Sequence, residues 1–92
     1  MNISSIYYKY LSIKKRNRAT VKKLRGLGFF MPGIRYALLK LNGMRVAELS
    51  SETGYSNVTI YAALNGALTS SRVQETLAER LLIPVSELFP DE

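Results

Sequence analysis

The 92-residue sequence contains no cysteine and no histidine. The first absence excludes disulfides and thiolate nucleophiles, and the two together remove the usual zinc ligands. Without histidine the chain also lacks the commonest general base near neutral pH. No phosphate-binding glycine loop and no cluster of carboxylates replaces them. We therefore expect no enzyme, no bound metal and no cofactor.

Long apolar runs are also missing, since none approaches the roughly 18 residues that span a bilayer. No secretion signal follows the basic N-terminus, because no uninterrupted apolar segment precedes a cleavage-like site. The absence of cysteine is typical of proteins in a reducing compartment. We therefore expect a cytoplasmic protein without a membrane span.

Acidic residues are absent from the first half of the chain. Residues 1–45 contain eleven Lys or Arg and no Asp or Glu, whereas residues 46–92 contain two basic and seven acidic residues. The halves thus carry +11 and −5, which together give the overall net charge of +6. Such a split indicates a basic surface for nucleic acid or an anionic membrane. A solvated basic tail is the plain alternative.

Residues 1–30 are interpreted as a basic N-terminal arm or extension. The apolar residues at its start fit a helix face and a strand alternation equally well, which leaves both open for Ile3, Ile6, Tyr7, Tyr8 and Tyr10. A short helix near 19–25, ending at Gly26 and Gly28, is compatible with the pattern.

Residues 31–92 are predicted to form one all-α domain of four short helices and a final turn. Helical spacing and capping signals place the elements at 33–42, 46–53, 57–64, from Ser70 or Ser71 to about 81, and 85–89. The capping signals are Pro32 at a helix start, Ser56 and a Ser71–Gln74 capping box, and Gly43, Gly54 and Gly66 at helix ends. The expected core comprises Ile34, Leu38, Leu41, Leu49, Tyr55, Ile60, Leu64, Val73, Leu77, Leu81, Leu88 and Phe89.

The segment 46–66, VAELSSETGYSNVTIYAALNG, reads as two helices bent about a glycine. Leu49 and Ile60 are spaced to meet across the bend, and Tyr55 fills its inner side. Gly54 can adopt the positive φ that lets the second helix leave at a steep angle. This is the helix-turn-helix pattern. A helical bundle with one tight turn and no role on DNA is the alternative.

Residues 31–92 resemble the phage repressor and Cro-like helix-turn-helix family, and within it the Ner-like regulators of Mu-type phages. The resemblance covers about two thirds of the chain. It implies a lambda-repressor-like fold and a bacterial or phage-encoded protein that associates with the nucleoid. It also implies a transcriptional repressor that binds operator DNA as a homodimer. It rests on Val46-Ala47-Glu48-Leu49-Ser50, Gly54-Tyr55-Ser56, Ala62-Ala63-Leu64 and Ile83-Pro84-Val85-Ser86-Glu87-Leu88-Phe89-Pro90.

In this family the second helix of the motif lies in the major groove and its N-terminal residues meet base edges. The resemblance therefore implies base-reading positions at Ser56, Asn57, Val58, Thr59, Tyr61 and Ala62. Asn57 is the best candidate, because its amide can pair bidentately with adenine. Val58 suits a thymine methyl group. Ser56 serves either as a cap or as a base contact.

Contacts to the DNA backbone are expected from Arg45 and Asn65, which match phosphate-binding positions in the family, and from Arg35 and Lys40 on the first helix. From charge alone, the arm is expected to follow phosphates or to enter a minor groove through Arg16, Arg18, Lys22, Lys23 and Arg25. Two other functions stay open. The tyrosine-rich arm suits a membrane surface or a protein partner, and antitoxins share the helix-turn-helix.

Overall fold

The computed structural model describes residues 3–90, and no β-strand occurs among them. The all-α prediction is confirmed for this range. Residues 1 and 2 of the predicted segment 1–30, and residues 91 and 92 of the predicted segment 31–92, lie outside the described residues. The described helices are α1 (Ile3–Gly26), α2 (Met31–Leu41), α3 (Val46–Thr53), α4 (Asn57–Leu64), α5 (Ser71–Leu81) and α6 (Val85–Leu88). Within residues 3–90 no helix is both long and apolar enough to cross a membrane.

Residues 3–26 form one continuous helix of 24 residues, which is longer than the expected short helix at 19–25 and decides for the helical alternative at the start of the chain. Neither glycine nor proline interrupts positions 3–25, so nothing in the backbone chemistry breaks the helix. Its second half packs against α2, and Val21 there is 5% exposed. The helix ends at Gly26 as predicted, and Gly28 then adopts a φ of +92°.

Polar side chains attach α1 to the rest of the protein. Asn17 is 1% exposed, and its amide nitrogen donates to the carbonyl of Leu81 at 2.8 Å. The same amide exchanges hydrogen bonds of 3.1 and 3.3 Å with Asn42, which also accepts from Arg16 at 2.7 Å. A buried amide left without these partners would destabilise the folded state, so the contacts fix one position of α1 along α2.

The helices after residue 30 begin and end close to their predicted bounds. α3 and α4 match 46–53 and 57–64, and α5 and α6 differ by no more than a residue. α2 starts at Met31, two residues before the expected start, with Pro32 in its first turn. The predicted capping box is wrong: α5 has Ser70 as its N-cap without a side-chain bond, and Gln74 is buried instead of reaching back to the cap.

Ten of the twelve predicted core residues are buried, and Tyr55 is half-buried against them. The prediction for Leu41 is wrong, because its side chain is 59% exposed. α2 presents a different face to the core than expected, and that face is formed by Ile34, Arg35, Leu38 and Leu39. The additional buried apolar residues are Val21, Leu39, Ala63, Ala78 and Ile83.

Arg35 is fully buried, which contradicts its expected role in contacting the DNA backbone. Its Nε donates to the carbonyl of Leu88 at 2.8 Å and its Nη1 to the carbonyl of Leu64 at 3.0 Å. Both acceptors are the last residues of their helices, where carbonyls lack partners within the helix and carry partial negative charge. The guanidinium also lies 4.3 Å from the ring centre of Phe89. Arg35 therefore joins α2 to the ends of α4 and α6.

We predict that Arg35→Met, which keeps the length of the side chain, lowers the free energy of unfolding by roughly 3–5 kcal/mol, because two buried carbonyls lose charged donors. Denaturant unfolding followed by circular dichroism measures the change. Arg72→Met on the exposed side of α5 is the control, and it should stay within about 0.5 kcal/mol of the parent. Equal stabilities of the two variants would contradict the structural role of Arg35.

Arg18 on α1 and Glu87 on α6 form a bidentate ion pair, with distances of 2.9 and 2.6 Å. The hydrogen bonds from Arg18 hold the pKa of Glu87 below its ordinary value of 4.5. Because this pKa is lower in the folded state, the pair stabilises the fold above pH 4.5 and the contribution disappears as the pH falls through the native pKa.

We therefore predict that Glu87→Gln slightly lowers the free energy of unfolding at neutral pH and leaves it unchanged in acid, where the parent carboxylate is protonated as well. Denaturant unfolding at a series of pH values checks this. Glu75→Gln, at an exposed position of α5, is the control for a change in net charge. A deficit of Glu87→Gln that persists at low pH would show that charge is not the cause.

Candidate nucleic-acid interface

The corner between α3 and α4 depends on Gly54. Its φ is +82°, a conformation that strains residues with a side chain, and its N–H donates to the carbonyl of Ser50 at 3.0 Å. Leu49 and Ile60 are both buried on the inner side of the bend, at 3% and 0% exposure. The bend thus fixes the direction in which α4 leaves α3.

Ser56 begins α4 as its N-cap. Its hydroxyl oxygen accepts from the backbone N–H of Thr59 at 3.1 Å and lies 3.0 Å from the Thr59 hydroxyl. The predicted capping role is confirmed, and the cap engages both hydroxyl groups. Of the six candidate base-reading residues, Ser56 and Thr59 are therefore already hydrogen-bonded within the protein.

Ile60, Ala63 and Leu64 form the inner face of α4, as predicted, and none of them is exposed. The opposite side, here called the outer face of α4, consists of Asn57, Val58, Tyr61 and Asn65, all of which are exposed. Val58 is 78% exposed and Tyr61 46%. Ala62 is half-buried beside this face. Val58 in the first turn and Tyr61 in the middle of α4 thus give the outer face two exposed apolar side chains, which makes it the candidate contact surface.

Tyr36 on α2 supports the outer face, and the sequence did not indicate it. Its hydroxyl donates to the Oδ1 of Asn65 at 2.9 Å, and its ring centre lies 6.4 Å from that of Tyr61. The contact orients Asn65, whose amide nitrogen keeps its own donor capacity. No local signal could have indicated it, because Tyr36 faces α4 only when α2 turns the side with Arg35 towards the core.

A surface groove next to the outer face brings two of the expected phosphate contacts together. The groove lies between the end of α2, the start of α3 and α4. Lys40 and Arg45 line it together with Tyr61, and both basic side chains are exposed. The Oε1 of Glu48 lies 3.9 Å from the Nε of Arg45. Both side chains are exposed, so the attraction between them in water is weak. We call this the α2–α4 groove; it is lined by Tyr36, Leu39, Lys40, Gly43, Met44, Arg45, Val46 and Tyr61.

The five basic residues expected to act as an arm are distributed differently. Arg16 and Arg18 hold α1 in place through Asn42 and Glu87, so their side chains are engaged within the protein. Lys23 lies beside Lys40 at a second groove, between α1 and α2. The remaining two, Lys22 and Arg25, are exposed on another side of α1, near Glu87.

A scan against protein-family models found no match to this chain, and searches of curated proteins and of solved structures found none either. Within residues 3–90, no group of three or more acidic residues is placed to hold a metal ion. The chemistry of the outer face must therefore be inferred from its own residues. They offer the amide of Asn57 in the first turn of α4, the amide of Asn65 after its last turn and two exposed apolar groups, and two cations lie in the groove beside them.

Proposed function

We propose that the chain is a sequence-specific DNA-binding protein of the helix-turn-helix type, with α3 and α4 as the motif. The observation that carries the proposal is the outer face of α4, where Asn57, Val58 and Tyr61 are exposed beside the basic α2–α4 groove. An α-helix fits the major groove of B-DNA, and in this motif the second helix enters it with its N-terminal end.

Base reading falls mainly to Asn57 and Val58. Asn57 is the first residue of α4, so its amide extends from the leading end of the helix. There it can accept from N6 and donate to N7 of an adenine. Val58 provides an isopropyl group for a thymine methyl, and DNA binding would remove from water a side chain that is 78% exposed.

Phosphate binding falls to Lys40 and Arg45. Both side chains line the groove beside Tyr61, so a DNA strand that passes the outer face of α4 comes within reach of both cations. Such contacts position the protein along the duplex without reading its sequence. Asn65, held by Tyr36, adds an uncharged donor at the other end of α4.

The biological role proposed with this interface is that of a transcriptional repressor of the lambda-repressor-like, Ner-like type. It would act in the cytoplasm of a bacterium or of a phage-infected cell. Support comes from the sequence motifs at 46–66 and 83–90. A domain of this size covers few base pairs, and proteins with this motif commonly bind two half-sites about one DNA turn apart. A homodimer on DNA is therefore part of the proposal.

We predict that Asn57→Ala weakens binding to the selected operator by about 1–3 kcal/mol and leaves binding to random DNA nearly unchanged, because a bidentate base contact is lost. The operator is first obtained by selecting bound sequences from a random pool, and affinities are measured by fluorescence anisotropy. Ser86→Ala, on the exposed side of α6, is the control and should bind like the parent. An equal loss on both DNAs would show that Asn57 does not read a base.

We also predict that Lys40→Gln and Arg45→Gln each reduce the slope of log affinity against log salt by about 0.9, since each removes one phosphate contact. The loss should be the same on operator and random DNA, in contrast to Asn57→Ala. Lys9→Gln near the start of α1 is the matched control and should keep the parent slope. Unchanged slopes for Lys40→Gln and Arg45→Gln would remove the α2–α4 groove from the interface.

A further inference from the structure

The first half of α1 projects beyond the helices on which its second half packs. Asn17 bonds to Asn42, which directly follows the end of α2, so the preceding turns of α1 run past that end. Residues 4–12 are all exposed, whereas Asn17 and Val21 are buried. A helix of 24 residues is about 36 Å long and α2 only about 16 Å, which leaves roughly half of α1 without a neighbour.

The projecting half carries an apolar seam. Ile6 and Tyr10 are 54% and 43% exposed. With Ile13 they occupy the side of the helix that Asn17 and Val21 continue into the packed half. The spacing of positions 6, 10, 13 and 17 alternates between four and three residues, as in helices that pair along a narrow seam. The side of α1 that is packed against the protein in its second half is thus exposed to solvent in its first half.

We propose that this seam pairs with the same seam of a second copy, antiparallel and about a two-fold axis. Positions 6 and 10 lie at equal distances on either side of position 8, so this pair reads identically in both directions. An antiparallel partner therefore places Ile6 of one chain opposite Tyr10 of the other. The same surface then serves both chains, as a closed two-fold interface requires.

The charge distribution favours a copy of this chain in that orientation. Residues 3–13 contain one charged residue, Lys9, whereas residues 14–25 contain seven basic residues and no acid. Antiparallel pairing brings the nearly neutral halves together and leaves the two basic segments at opposite ends of the pair. Parallel pairing would place the basic segments side by side, where like charges repel.

The polar side of the projecting half favours a helix over a lipid surface. A helix that lies in a membrane interface carries a strongly charged polar face, rich in Lys and Arg. Here Tyr7 and Leu11 are exposed outside the seam, but residues 3–13 contain only one charged residue, Lys9, and the 68% exposed Tyr8 lies on the opposite side of the helix. Three turns of helix bury less than the roughly 800 Å² per partner of a standard interface. We therefore expect dissociation in the micromolar range, and the association requires no DNA.

Light scattering of the full chain without DNA, over a range of concentrations, tests the pairing. The mass should rise from 10.3 kDa towards twice that value. Ile6→Glu should raise the dissociation constant at least about tenfold, because it buries a charge in the seam. Tyr8→Glu is the matched control, with the same added charge two residues away, and should change the constant less than about twofold. Circular dichroism verifies that both variants are folded.

Cysteine cross-linking tests the orientation, since the chain has no cysteine of its own. A mixture of Ile6→Cys and Tyr10→Cys chains should form a disulfide between the two different chains upon oxidation. Each variant alone should form far less, because antiparallel pairing separates identical positions beyond the reach of a disulfide. Efficient cross-linking of either variant with itself would overturn the antiparallel arrangement.

A chain that stays monomeric at every concentration, or equal effects of Ile6→Glu and Tyr8→Glu, would overturn the proposal. So would a monomer that floats with vesicles of about equal parts phosphatidylglycerol and phosphatidylcholine and loses this binding in Ile6→Glu, because the seam would then belong to a membrane surface. None of these measurements involves DNA, so their failure is distinguishable from failure of the proposed function.

Discussion

The buried guanidinium of Arg35 connects three helices whose own hydrogen bonding cannot connect them. The last carbonyls of α4 and α6 have no donor within their helices, and a cation between them satisfies both. Removing a positive charge from water is unfavourable, and the two charged hydrogen bonds and the Phe89 ring offset that cost. Since Leu64 is the last residue of α4, the same contact fixes the end of the helix proposed to read DNA.

The start of α4 is fixed by different means. Gly54 sets the bend and Ser56 caps the first turn, so the start of the helix does not depend on the side chains of its outer face. The inner face is fully buried against the core. The outer residues are therefore presented by a helix whose position is already determined, and they can vary without changing the fold. Such preorganisation is what a binding surface needs when specificity depends on a few side chains.

Much of the fold could be predicted because its signals are local. Gly54, Ser56 and the apolar spacing of α3 and α4 act within a few residues, and both helices have the predicted bounds. The capping box at Ser71 was a local error, but the error on Arg35 concerns contacts distant in sequence. Arg35 appeared to be a surface cation, since only the carbonyls of Leu64 and Leu88 make its burial favourable. For the same reason the sequence could not indicate that Asn17 is buried, because its partners lie 25 and 64 residues away.

Of the candidate site, the part formed by α4 could be predicted from local signals, and the part contributed by α2 could not. The outer face of α4 follows from helical periodicity once Ile60, Ala63 and Leu64 are assigned to the core. The contribution of Tyr36 depends on which face α2 turns inward, and Arg35 decides that face.

The amide of Asn17 fixes the position of α1 along its own axis. Apolar contacts between two helices tolerate sliding by a turn, but an amide that bonds both the Asn42 side chain and the Leu81 carbonyl fits one position only. The amide therefore fixes the point at which residues 3–16 of α1 leave the body of the protein. Inserting or deleting a turn there would change how far the helix reaches without altering how it is anchored.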